Sequence, residues 1–148
     1  MSENESLIKL YSQRILSLAT TIPKTEQLEN PQASCKTRSP LCGSTVTVDI
    51  IVENGTVTGY GQNVKACALG QAAASVVGAN IVGCSRDEIE TGLRQLASML
   101  KEGGPPPGTP FAELHVLEPA KEFKNRHASI MLALEAALCA YDRAANPA

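Results

Sequence analysis

The chain has 148 residues, with 13 Lys and Arg against 15 Asp and Glu, for a net charge of −2. That length suits a single domain, 1–148, able to bury roughly 70% of its unfolded surface without a disulfide. The acidic balance, with three Tyr, two Phe and no Trp, excludes the basic stripe and stacking platform of a nucleic-acid binder.

The first residues, Met1-Ser2-Glu3-Asn4-Glu5, are acidic and do not resemble a signal peptide. No apolar run reaches the ~20 residues a membrane span needs, so a soluble, cytoplasmic protein without membrane attachment is expected. Over residues 5–19, Leu7, Ile8, Tyr11, Ile15, Leu16 and Leu18 recur at helical spacing. They predict an amphipathic helix that Pro23 stops, with a loop over residues 21–32. Its apolar stripe is core, part of it available for docking a partner.

Residues 33–38 predict a strand before the turn at Pro40. Residues 45–52, rich in Val, Ile and Thr, predict a second, and Asn54-Gly55 suits a tight hairpin because both residues tolerate positive φ. The third strand follows at 56–61. An Ala-rich helix is expected from Cys67 to Ala79, with a stop at Gly83. Ser85-Arg86-Asp87-Glu88 is a capping box, and the helix it opens carries Ile89, Leu93, Leu96, Met99 and Leu100 on one side. Residues 103–108, Gly- and Pro-rich, form an exposed loop. A short segment follows from Phe111 to Leu117, then a last helix from about Lys124 to Ala144. Strands first and helices later, with no βαβ alternation, give an α+β fold: a small antiparallel sheet of about three strands with helices on one face.

The cysteines are Cys35, Cys42, Cys67, Cys84 and Cys139. Their odd number, with no CxxC pair, points to free thiols or ligands rather than a disulfide framework. Cys42 lies in the turn Ser39-Pro40-Leu41-Cys42-Gly43-Ser44, and Cys67 opens a helix, where unpaired N–H groups favour a thiolate. Arg126-His127-Ala128-Ser129 opens the last helix. Together the three elements look like corners of a shallow metal or sulfur site. Each has a plainer reading, since a free cysteine is often a small buried apolar side chain and a histidine at a helix start is often only polar surface. Cys139 fits the apolar reading on the last helix, and Cys84 reads as structural. Cys35, on the first strand, either packs or faces the site as a further ligand. His115 reads as surface. Lys121, Lys124 and Arg126 form a solvated face or meet an acidic patch on a partner. No Ser/His/Asp set, P-loop or GxGxxG is present, so an enzyme is not expected.

In this order, the motifs resemble the iron–sulfur cluster assembly scaffold family of IscU, SufU and the N-terminal domain of NifU. Ser39-Pro40-Leu41-Cys42-Gly43 resembles its first ligand loop, N-P-x-C-G-D, and Cys67 before an Ala/Ser-rich helix resembles the second. Leu117-Glu118-Pro119-Ala120-Lys121 is similar to the L-P-P-V-K segment, and His127-Ala128-Ser129 stands where the family often has H-C-S. Leu10-Tyr11 and Glu29-Asn30-Pro31 look like its opening. The resemblance implies a SufE/NifU-like fold. It also implies sulfur received from a cysteine desulfurase and a transient [2Fe–2S] cluster or zinc ion held at Cys42, Cys67 and His127. Chaperones and apo-protein acceptors are the further implied partners. Two positions depart from the pattern: Ser44 replaces the acidic residue and Ala128 the third cysteine, so no third thiolate is available in this set. The alternative is a zinc-binding or metal-free interaction module that docks a desulfurase without assembling clusters.

Overall fold

The computed structural model describes residues 11–41 and 43–146. Four α-helices are described: α1 (Gln13–Thr20), α2 (Ala68–Asn80), α3 (Arg86–Glu102) and α4 (Lys124–Ala145). The strands are β1 (Ala33–Arg38), β2 (Thr45–Glu53) and β3 (Thr56–Lys65), antiparallel in the order β1-β2-β3. Helices cover one face of the sheet, as the α+β expectation required.

The N-terminal part of the helix expected over 5–19 lies outside the described residues. The described part starts at Ser12, whose hydroxyl accepts the Ile15 N–H. On the sheet, Val46, Val48 and Ile50 alternate into the core. A β-bulge where the register shifts between Ile51 and Val52 lets Val57 and Tyr60, three residues apart, both turn inward. The hairpin closes through Asn54 and Gly55, at φ 54° and 80°. β3 runs four residues further than the reading of 56–61, because Gln62 to Lys65 continue the ladder with Thr45 to Val48.

The loop before β1 lies over part of the outer sheet face. There Asp49 accepts the Ser34 hydroxyl at 2.6 Å and the Leu28 N–H at 3.2 Å. Gly61 stands opposite Asp49, and a Cβ at Gly61 would come within 2.5 Å of the Glu26 carbonyl oxygen. Only a residue without a side chain lets the loop lie this close.

α3 has the expected capping box between Ser85 and Glu88 and ends at Gly103 with φ 69°. The segment read as short, Phe111 to Leu117, is longer and regular: a 3₁₀ helix over Ala112–Glu122. Phe111, Leu114, Leu117 and Ala120 are all buried, one residue in three, which is the repeat of a 3₁₀ turn.

One seam bears directly on the site. α4 lies antiparallel along β1, with Arg143 Nη1 donating to the Ser34 carbonyl at 2.7 Å and Thr37 Oγ1 donating to the Leu132 carbonyl at 3.1 Å. Between these two contacts, Cys35 and Cys139 form a disulfide across 104 residues of sequence. This corrects three readings: Cys139 as a plain apolar side chain, Cys35 as a further ligand, and the preference for free thiols. The cause is tertiary. An inward position of β1 and one of α4 meet, and nothing local to either cysteine announces it.

Candidate functional site

The seam ends at the candidate site. β1 and β2 are joined by a short loop in which Ser39 N–H donates to the Ser44 carbonyl at 2.8 Å and Gly43 N–H to the Ser39 carbonyl at 3.0 Å. Gly43, at φ 73°, makes the turn possible. Cys42, the first expected ligand, lies outside the described residues. Beside it, Leu41 is 76% exposed, and Ser44 turns inward and is buried.

Cys67 is the N-cap of α2, as its place before the Ala-rich segment predicted, and is half-buried. Its Sγ lies 3.5 Å from Ser129 Oγ, which in turn lies 3.1 Å from Ser44 Oγ. Cys67, Ser129 and Ser44 thus form a chain that joins α2, α4 and the β1–β2 loop. Gly70 makes the approach of α2 and α4 possible, since a Cβ there would lie 2.7 Å from Ser129 Oγ and 2.8 Å from Ala66 Cβ.

Burial by itself would push the Cys67 thiol up. Donation from the Gly70 N–H, the Ser129 hydroxyl, the Leu69 N–H and the Arg126 side chain outweighs it, and the thiol lies below its ordinary value. Arg126, expected on a solvated face or against a partner's acidic patch, also reaches this thiol. In the sequence, Ser129 stands out only as part of H-A-S and Ser44 only as the replacement of a carboxylate. Their pairing is visible only once α4 and the loop are brought together.

His127 sits in the first turn of α4 and is 6% exposed, with Nε2 3.0 Å from the Ala120 carbonyl oxygen. Its hydrogen bond runs to the 3₁₀ segment rather than to Cys67. Cys84 is buried, and its thiol donates to the Asn80 carbonyl at 3.2 Å; burial and the Glu88 carboxylate push it up to about 11. This agrees with a structural role. His115 is exposed, as expected. Among the described residues no group of three or more His, Cys, Asp or Glu side chains could hold a metal ion, and no helix is long and apolar enough to cross a membrane.

Sequence comparison finds no matching family model and no matching curated protein. Solved structures do match. The N-terminal part of a nitrogen-fixing NifU-like protein from Brucella abortus is 38% identical, over 97% of this chain and 99% of that one, with a TM-score of 0.94. The chain belongs to the NifU-like family. Two further structures share the fold at low identity. A putative iron–sulfur cluster assembly scaffold protein for the SUF system, from the thermophile Fervidobacterium islandicum AW-1, is 17% identical over 90% of this chain and 98% of that one, with a TM-score of 0.80. A hypothetical protein is 18% identical over 92% and 99%, with a TM-score of 0.81. On this NifU-like fold, Cys67 occupies a helix start facing the β1–β2 loop that carries Cys42.

Proposed function

We propose that this NifU-like protein is an iron–sulfur cluster assembly scaffold in the cytoplasm, acting as one non-catalytic domain. In this reading a cysteine desulfurase delivers sulfur to Cys67, and a transient [2Fe–2S] cluster is built as cargo at Cys42, Cys67 and His127 before passing to an acceptor. The observation that carries the reading is the state of Cys67: a thiol drawn down by α2 N–H groups, Ser129 and Arg126, at the end of the molecule where the β1–β2 loop arrives.

The chemistry follows from that state. A thiolate at Cys67 attacks the terminal sulfur of the desulfurase persulfide. The S–S bond of the donor breaks, the donor cysteine leaves as a thiol with a proton from solvent, and Cys67 keeps the sulfur as a persulfide. The N–H groups that favour a thiolate also favour the persulfide anion. For cluster binding, this set offers two thiolates and one imidazole, and histidine is a known substitute for cysteine at such clusters. If His127 Nε2–H donates to Ala120, its Nδ1 carries the lone pair for a metal, in the manner of ligating histidines anchored by a backbone carbonyl. With Ala128 in place of the third thiol and Ser44 in place of the carboxylate, a cluster would be weakly held, as suits cargo.

The test is anaerobic reconstitution with ferrous iron, cysteine and a cysteine desulfurase. Visible charge-transfer absorption that disappears in Cys67→Ala and Cys42→Ala is expected, with a persulfide on Cys67 detectable by mass. A colourless protein bearing no persulfide on either thiol overturns the reading.

A further inference from the structure

Beside the Cys67 site, α3, the 3₁₀ segment and α4 leave a cleft of about 480 Å³ lined by Leu100, Lys101, Lys121, Lys124, His127 and Ala128. Three lysines from three separate elements converge on it and, among the described residues, no carboxylate lines it, in a chain whose net charge is −2. Two acidic groups interact with these lysines. Glu118 pairs with Lys121 at 3.1 Å but is itself about half exposed, where such a pair is weak. Burial pushes the Glu135 carboxyl up, against the opposing field of Lys101. Among the described residues neither Lys101 nor Lys124 has an ion pair. The start of α4 adds to the positive potential, since its N-cap Phe123 provides no side-chain acceptor and Lys124 is the first helical residue.

We propose that this cleft docks an acidic segment of a protein partner, seating its carboxylates among Lys101, Lys121 and Lys124 and an apolar side chain against Leu100 and Ala128. Charge complementarity selects the occupant. A nucleic acid would require a wider basic surface and stacking aromatics, and the cleft has no aromatic lining. The location gives the docking a use. Ala128 forms part of the wall, and the next residue, Ser129, touches Cys67. A partner seated here is held at the end of α4 that faces the sulfur site. Docking of this kind depends on the cleft alone and not on cluster chemistry.

The experiment is fluorescence anisotropy on the purified full chain with a labelled 12-residue peptide of alternating Glu and Leu. The same peptide with Lys for Glu serves as control, and inorganic phosphate and a DNA duplex serve as competitors. Binding of the acidic peptide alone, weakening as salt rises, is expected. The triple variant Lys101→Glu/Lys121→Glu/Lys124→Glu is expected to weaken it at least about tenfold. Lys36→Glu/Lys65→Glu, both exposed on the sheet, is expected to leave it unchanged. If the triple variant does not fold, Lys124→Gln alone carries the test, with an expected loss of about twofold to fivefold. Equal effects of cleft and sheet variants, or displacement of the peptide by the duplex or by millimolar phosphate, overturn the proposal. Reconstitution of the cluster in the lysine variants is read separately. Colour without peptide binding removes this inference and leaves the scaffold reading standing, whereas peptide binding without colour does the reverse.

Discussion

The two ends of α2 place their cysteines in opposite electrostatic settings. At the N-terminal end, Cys67 faces unpaired N–H groups, the Ser129 hydroxyl and Arg126, all of which favour the anion. Beyond the C-terminal end, Cys84 is 3% exposed, donates its proton to the Asn80 carbonyl and lies near Glu88, all of which favour the neutral thiol. The helix macrodipole has the matching sign at each end. The thirteen-residue helix of small residues thus separates a thiol drawn toward its thiolate from one held neutral. A cysteine's role follows from the donors and acceptors its neighbours supply, not from its residue type.

The largest expected effect concerns what holds α4 against β1. Replacing the disulfide with Cys35→Ala/Cys139→Ala is expected to lower unfolding free energy by about 2–4 kcal/mol in denaturant titration, because the bridge closes a long loop. It should also disturb Cys67, which touches α4 through Ser129, more than Cys84, whose hydrogen bond is local to α2. Equal changes in both thiols would show that the seam does not transmit to the site.

Next is reactivity itself. At pH 7.5, Cys67 of the native protein is expected to react with iodoacetamide at least about a hundredfold faster than Cys84, as read by mass spectrometry after digestion. As pH rises, Cys67 should reach half-maximal rate below the ordinary thiol value, since lowering a thiol's pKa exposes its thiolate at lower pH. Cys84 should stay protected until pH approaches about 11. Comparable rates at neutral pH would erase the contrast.

Gly70→Ala sharpens the same contrast sterically. Its Cβ would meet Ser129 Oγ at 2.7 Å, so a cost of about 1–3 kcal/mol is expected, with slower alkylation of Cys67 and no change at Cys84. The smallest effect is Ser129→Ala, which removes one donor from the thiolate. The Cys67 alkylation midpoint should move to higher pH while that of Cys84 stays in place, and an unmoved midpoint would assign the tuning to the α2 N–H groups and Arg126.

Much of the fold could be read from local residues, because the forces that make those elements act over a few positions. Alternating Val and Ile specify β2, Asn54-Gly55 its hairpin, and Ser85 with Glu88 the start of α3. The start of α2 at Cys67 follows from the change to small residues. The 3₁₀ segment is legible too, in the three-residue repeat Phe111, Leu114, Leu117, Ala120, which extends past the short segment expected at Phe111 to Leu117. The family motifs led to the fold, the family and the candidate ligands Cys42, Cys67 and His127.

Other features required the chain to be folded. Cys35 and Cys139 find each other across 104 residues, the Ser44–Ser129–Cys67 chain joins the β1–β2 loop, α4 and α2, and the lysine cleft draws on α3, the 3₁₀ segment and α4. The burial of His127 and its bond to Ala120 depend on how the 3₁₀ segment meets α4. Local sequence determined where strands, turns and caps begin, because backbone hydrogen bonding and side-chain periodicity are decided by near neighbours. Tertiary structure decided which distant side chains share a dry, close-packed space, and in that space a thiol is bridged, drawn toward its thiolate or held neutral according to what faces it.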